Sequence, residues 1–200
     1  MSGRLVAVVG SRALPVSWAG RVSEVVQDLV RHGRSLGLGG ALGADLFALQ
    51  TVLQLGAVKG ARVFLPGSVA QAPVASAHLL RSFLAGGGEV VTGPALPGCS
   101  RRDFVAALFA RSQALVQASV GVVAFISGRS SGSWFTCQAA ARLGRPVVVF
   151  PVEGPGALQS LGCGSWKPVR CWPGSWRWVP SVPAGQRCRH GITVQCCAGV

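Results

Sequence analysis

The sequence predicts an α/β protein built on a doubly wound, mostly parallel sheet with helices on both faces, followed by an irregular Trp/Cys-rich C-terminal tail. Three observations carry that expectation. Between residues 4 and 151, short and nearly continuous apolar runs recur, as strands covered on both faces require. Stretches with apolar residues at helical spacing alternate with them, the pattern of a parallel sheet with crossover helices. Three of the strand-to-helix junctions are rich in glycine, and such turns let backbone N–H groups and a helix N-terminus approach an anion closely.

Taken in order, Leu5–Val9 reads as the first strand. Ser17–Arg31 carries Val22, Val25, Val26, Leu29 and Val30 at helical spacing and stops at His32-Gly33. A short strand near Ser35–Leu38 leads into a helix over Ala44–Leu55. Ala61–Leu65 is a third strand ended by Pro66-Gly67, Ala75–Leu84 a helix, and Glu89–Val91 a short strand. Arg101–Gln117 is a long helix, Val120–Ile126 a central strand, Gly132–Leu143 a helix and Pro146–Phe150 the last strand. These elements make one Rossmann-like domain over residues 1–152.

From residue 153 to 200 the chain is rich in Gly, Pro, Trp and Cys and keeps no sustained period. Trp166–Val179 is compatible with a hairpin whose indoles pack on the domain, and packing or partial disorder is the favoured reading. Arg170, Trp172, Trp176, Arg177 and Trp178 also interleave as base-stacking residues do. Gln186–Val200 is expected to be poorly structured. Cys188, His190, Cys196 and Cys197 fit no common metal spacing.

Half of the 200 residues are apolar, enough for one well-buried domain and an appendage. Charge is scarce and one-sided, with nineteen Lys or Arg against six acids and a net charge of +13. Lys59 and Lys167 are the two lysines, so seventeen of the nineteen basic residues are Arg. The guanidinium fork suits bidentate contact with phosphate. The acids (Glu24, Asp28, Asp45, Glu89, Asp103 and Glu153) are too few and scattered for a carboxylate-built metal site. Seven Cys without a CxxC spacing favour neither a disulfide framework nor a zinc knuckle. The first apolar run is too short for a signal peptide, and no stretch approaches the ~20 apolar residues of a membrane span. The expectation is a soluble, cytoplasmic protein without a membrane partner.

The turns hold the candidate ligand-binding residues. In Gly10-Ser11-Arg12, Gly10 is expected to adopt an unusual backbone angle, Ser11 to offer a hydroxyl and an N–H, and Arg12 to project over the carboxyl edge of the sheet. In Gly39-Gly40-Ala41-Leu42-Gly43-Ala44-Asp45, side-chain-poor backbone leaves amides open to an anion. Asp45 either complements the helix dipole and caps free N–H groups or accepts a hydrogen bond from a ribose or base. Ser127-Gly128-Arg129-Ser130-Ser131-Gly132-Ser133 is a further phosphate cradle, with N-capping by Ser131 or Ser133 as the alternative. Trp134 beyond it is read as core packing more readily than as a base-stacking residue. Ser100 and Asp103 have capping spacing, His32 a helix C-terminal position, and Cys137 the character of a buried small hydrophobe. His78 has no evident partner, and no Ser/His/Asp or Cys/His set can be assembled.

With these turns placed, the chain resembles the SLOG superfamily of Rossmann-like proteins, which includes DNA-processing protein A (DprA/Smf) and the lysine-decarboxylase-like LOG proteins. The resemblance rests on Val8-Val9-Gly10-Ser11-Arg12, on Gly39–Asp45 (similar to a G-G-A-x-G-A-D turn) and on Gly132-Ser133 opening the late helix. It covers about residues 4–151 and is nearest to the DprA-like and YspA-like branches. Ala107-Leu108-Phe109-Ala110-Arg111-Ser112 is similar to a family helix that approaches the ligand pocket, which implies Arg111 there. LOG enzymes, which release a base from a nucleoside monophosphate, carry P-G-G-x-G-T-x-x-E. The matching positions here run from Gly128 to Thr136, with Thr136 where the carboxylate stands. The resemblance to DprA implies binding of single-stranded DNA.

The expected function is therefore a nucleic-acid or nucleotide-phosphate binding module. Its ligand-binding set is Gly10, Ser11, Arg12, Gly39, Gly40, Ala41, Gly43, Asp45, Arg111, Gly128, Arg129, Ser131, Gly132 and Ser133. No catalytic residue, no metal site and no obligatory cofactor are assigned; a bound nucleotide is compatible with the turns, and so is a homodimer. A sensor of a small nucleotide derivative is the alternative, with LOG-type hydrolysis behind it.

Overall fold

Leu5–Gly10 (β1), Ser35–Leu38 (β2), Ala61–Gly67 (β3), Glu89–Ala95 (β4), Gly121–Ile126 (β5) and Val147–Pro151 (β6) pair side by side in parallel, as their apolar runs require. A computed structural model describes residues 4–181. Two further strands, Gly164–Pro168 (β7) and Trp176–Pro180 (β8), extend the same sheet to the order β4-β3-β2-β1-β5-β6-β8-β7. Helices Ala19–Arg31 (α1), Ala44–Gln54 (α2), Val74–Ala85 (α3), Arg101–Ala118 (α4) and Ser131–Arg142 (α5) cover it.

Two apolar layers fill the space between sheet and helices. On one face Val22, Val25, Val26 and Leu29 of α1 join Ala48, Leu49 and Val52 of α2 and Leu80 and Phe83 of α3 against Val6, Val8, Phe125 and Phe150. Phe125 and Phe150 stack with centroids 4.7 Å apart. On the other face Leu115 and Val116 of α4 and Trp134, Cys137 and Ala140 of α5 meet Ala7, Val9, Val122 and Val149. The Cys137 thiol is fully buried and pushed up to about 12, so it stays a protonated, apolar group.

Several boundaries differ from the sequence reading for local reasons. β3 was expected to end at Pro66-Gly67, yet it runs through them with a bulge between Leu65 and Gly67, and Gly67 pairs with Ala95. A bulge is where a strand tolerates proline. This pairing also lengthens β4 beyond the expected Val91. The first helix starts at Ala19 rather than Ser17, after a 3-10 turn over Val16–Trp18.

The expected irregular tail is ordered over residues 164–180. β7 and β8 form an antiparallel hairpin, and β8 pairs antiparallel with β6 through Val148↔Arg177 and Val149↔Trp176. The indoles hold it down. Trp166 sits edge-on to both Trp178 (5.2 Å) and Trp134 of α5 (6.4 Å), and its Nε1–H donates to the Gln159 carbonyl at 2.9 Å. Trp172 lies against Phe150 and donates to the Asp28 carboxylate at 3.1 Å. Trp166, Trp172 and Trp178 are thus packing residues, and Trp134 is buried core. Gln186–Val200, with Cys188, His190, Cys196 and Cys197, lies outside the described residues. Among the described residues no helix is long and apolar enough to cross a membrane.

Candidate functional site

The strand order sets the place of the site. From β1 the chain moves outward through β2, β3 and β4, then returns to β5 on the other side of β1. At such a reversal neighbouring loops leave the sheet in opposite directions and open a crevice beyond the carboxyl ends of the strands. Gly10-Ser11-Arg12 follows β1, and Ser127–Ser130 follows β5, so two of the three turns flank the reversal.

Ser11 ties these two turns together. Its Oγ donates to the Ser127 carbonyl at 2.9 Å and accepts from the Ser127 N–H at 2.8 Å. Its own N–H donates to the Phe125 carbonyl at 2.9 Å. The hydroxyl and N–H expected to face a ligand are therefore both used inside the fold, and Ser11 positions the loops. Gly10 is needed for a steric reason and not for an unusual backbone angle. Its φ is not left-handed, but a Cβ there would strike the Phe125 carbonyl oxygen and the Ala44 Cβ.

The second turn is equally crowded. Gly40 (φ 67°) and Gly43 (φ 70°) are left-handed, and a Cβ on Gly43 would run into the backbone carbonyls of Ser11 and Arg12. A Cβ on Gly39 would collide with the Arg111 guanidinium and the Asp45 carboxylate. Asp45, buried in the first turn of α2, accepts from the Ala41 N–H at 3.2 Å through Oδ2. Its Oδ1 and the Nε of Arg111 have no hydrogen-bond partner among the described residues. Burial pushes the Asp45 carboxyl above its ordinary range, with the Arg111 charge pulling against it. Burial acts on Arg111 in the opposite sense, lowering it, while the Asp45 charge raises it. Asp45 thus caps the Ala41 N–H in the turn that precedes α2.

The third turn differs. Gly128 (φ 60°) and Gly132 have open space where a Cβ would stand. The helix begins at Ser131 with Ser130 as its N-cap, and no side chain caps the free N–H groups. Capping by Ser131 or Ser133 is thus not found; the Ser133 hydroxyl bonds Ser130 Oγ at 2.8 Å. The first amides of α5 are left without a side-chain cap. Behind the loop, Glu153 accepts from Ser127 Oγ at 2.9 Å and from the Gly128 N–H at 3.0 Å, and these bonds hold its carboxyl below the ordinary value.

Helix α4 closes the crevice. Its buried stripe is confined to Ala107, Ser112, Leu115 and Val116, so Val105 and Phe109 (40% exposed each) face out of the core. Phe109 leans edge-on against Phe135 of α5, with ring centroids 4.6 Å apart. The result is a cleft of about 620 Å³, within the range of small-molecule sites. Gly10, Ser11, Arg12, Ala41, Asp45, Arg111, Gly128, Arg129, Ser131, Gly132 and Ser133 line it. A second cavity of about 190 Å³ adjoins it, lined by Gly39, Gly40, Leu65, Pro66, Gln71 and Phe104 among others. Arg12, Ala41, Leu108 and Arg111 belong to both. Gly43 lines neither and serves the turn. Thr136 also lines the cleft, with its hydroxyl donating to the Gly132 carbonyl at 3.0 Å.

The sequence reading did not single out Val105, Leu108 and Phe109 as lining residues. The signal available was their apolar character off the stripe formed by Ala107, Leu115 and Val116. The other assignments hold locally. Ser100 caps α4 by accepting from the Asp103 N–H at 3.1 Å, and His32 Nδ1 lies 2.8 Å from the Asp28 carbonyl at the end of α1.

The sequence family described as DNA recombination-mediator protein A matches residues 1–166. The chain belongs to this family. Among curated protein sequences, none matches it. Among solved structures it is similar to DNA processing protein A from Helicobacter pylori, studied for its single-stranded DNA binding mode. That likeness has a TM-score of 0.62 at 19% identity over 74% of this chain and 65% of the other. It is also similar to DNA processing protein A from Streptococcus pneumoniae, with a TM-score of 0.59 at 27% identity over 80% of this chain and 53% of that one. The chain thus spans less than two thirds of either structure's length.

Proposed function

We propose that the chain is a DprA-like module that holds single-stranded nucleic acid by its phosphates at the carboxyl edge of the sheet, and that it reads the strand without cleaving it. The observation that carries this reading is that two adjoining cavities share Arg12, Ala41, Leu108 and Arg111 in their walls. A ligand longer than one nucleotide is long enough to lie over both. The open amides of α5, with the exposed Arg12 and Arg129, offer donors for phosphate oxygens. The exposed ring of Phe109 offers a face on which a base can stack. The Helicobacter pylori relative binds single-stranded DNA, which agrees with the same use here.

Chemistry on the strand has no visible carrier. Asp45 is the one carboxylate among the described lining residues, and it is buried against Arg111. Thr136 stands where LOG enzymes place their carboxylate, and its hydroxyl is engaged within α5. A second reading, a sensor of a mononucleotide or dinucleotide, draws on the volume of the larger cleft alone.

Fluorescence anisotropy with a labelled oligonucleotide of about 20 nucleotides tests the proposal, since phosphate-mediated binding weakens linearly in log–log form as salt rises. Binding that weakens in this way, and is not displaced by millimolar mononucleotide, is the expected result. A mononucleotide that co-purifies in native mass spectrometry, with no oligonucleotide bound at low salt, overturns it in favour of the sensor.

A further inference from the structure

The β7–β8 hairpin carries a charge arrangement that the fold does not compensate. Lys167 and Arg177 stand directly opposite each other in the β7–β8 register. Like charges in that position oppose strand pairing. Arg170, exposed in the connecting turn, adds a third cation.

All six side-chain carboxylates are committed elsewhere. Glu24 pairs with Arg21 at 2.8 Å, Glu89 with Arg62 at 2.8 Å, and Asp28 with Arg31, His32 and the Trp172 indole. Asp45 faces Arg111, Asp103 is bonded to Ser100, and Glu153 clamps Ser127 and Gly128. Because side chains alternate along a strand, Lys167 and Arg177 project from the sheet face opposite the packed Trp166 and Trp178.

Topology brings the turn of this hairpin, and not the pair itself, to the edge at which the cleft opens. Since β8 runs antiparallel to β6, the turn carrying Arg170 lies at the carboxyl edge of the sheet, where the cleft opens. In the sheet order β8 is two positions from β5, roughly 10 Å at ordinary strand spacing. The family match ends at residue 166, so all three cations lie beyond it.

We propose that Lys167, Arg170 and Arg177 form a second contact surface for the phosphate backbone of the same single strand, engaged as it leaves the cleft past β5 and β6. This rests on the function proposed above. Three cations spread over a strand pair and its turn fit a linear polyanion better than a small phosphate ester. A strand bound there supplies the negative charge that the chain withholds from the Lys167–Arg177 pair.

The test compares oligonucleotides of about 6 and about 20 nucleotides on the wild-type chain and on K167Q/R170Q/R177Q, across a salt series. At ~0.7 in slope per phosphate contact on a single strand, losing three contacts should lower the salt slope for the long strand by about 2. Its affinity at low salt should fall at least tenfold, and the short strand should bind as before. The thermal midpoint of the variant should not fall, because the substitutions remove a repulsion. Equal binding of the long strand by both proteins overturns the surface and leaves the cleft standing. An equal loss for both lengths, or a fallen midpoint, assigns the residues to folding and also overturns it. A wild-type chain that binds neither length overturns the function and the surface together.

Discussion

The first two glycine turns and the third look alike in sequence and are built differently. Around Gly10, Gly39 and Gly43 a Cβ has nowhere to go, because neighbouring carbonyls, Ala44, or the Arg111–Asp45 pair already fill the space. Around Gly128 and Gly132 that space is empty. The closed turns bring β1, β2, β5 and α2 close enough to make a crevice. The open turn exposes the amides that can meet a ligand in it. A glycine-rich loop therefore need not be a binding loop, and occupied space separates the two kinds.

Gly10→Ala should break the closed side most severely. Forcing a methyl against the Phe125 carbonyl and Ala44 is overpacking at the centre of the sheet, expected to cost about 2–3 kcal/mol in urea unfolding. Gly39→Ala should displace Arg111 from the wall between the cavities. The loss of a charge-assisted contact then predicts an oligonucleotide affinity weaker by about 1.5–3 kcal/mol. On the open side, Phe109→Ala should weaken strand binding by about 1–3 kcal/mol per stacked base, with a smaller change in thermal midpoint.

Gly132→Ala should leave stability unchanged or raise it by less than about 1 kcal/mol, the propensity gain of Ala over Gly in a helix. A fall in oligonucleotide affinity without a fall in stability then assigns these amides to the ligand. Unchanged affinity would instead make the open space incidental.

The smallest effect is a pH dependence. Asp45 has its carboxyl raised from an ordinary 3.8, so its neutral form favours the fold. That contribution is complete below the ordinary value and is lost as pH rises through the raised one. Relative to wild type, Asp45→Asn should therefore gain thermal stability with rising pH above 3.8 and show little difference below it. A difference that does not change with pH would contradict the assignment.

Most of the fold was legible because it follows from apolar periodicity. Val22, Val25, Val26 and Leu29 mark the buried face of α1, and the Val-rich runs mark strands covered on both sides. The hairpin was harder to read. Gly, Pro and four Trp obscure the alternation of β7 and β8, and their order depends on partners distant in sequence, Trp134 and β6. At the site, the turn positions were legible and their division of labour was not. Nothing local indicates that Ser11 spends its hydroxyl on Ser127, 116 residues away, or that Gly10 faces Ala44. Phe109 was missed because an apolar residue in a helix is read as core unless its face is known.

In the function proposed above, the cleft at the β1–β5 reversal, and not diffuse positive charge, holds the strand. The most direct measurement is the salt dependence of binding of a short, labelled oligonucleotide to wild type, to Arg12→Ala at the cleft, and to Arg81→Ala on the exposed surface of α3. A slope lower by about 0.7 and weaker binding are expected for Arg12→Ala, with Arg81→Ala indistinguishable from wild type. Equal losses in the two variants, or none in either, would contradict it.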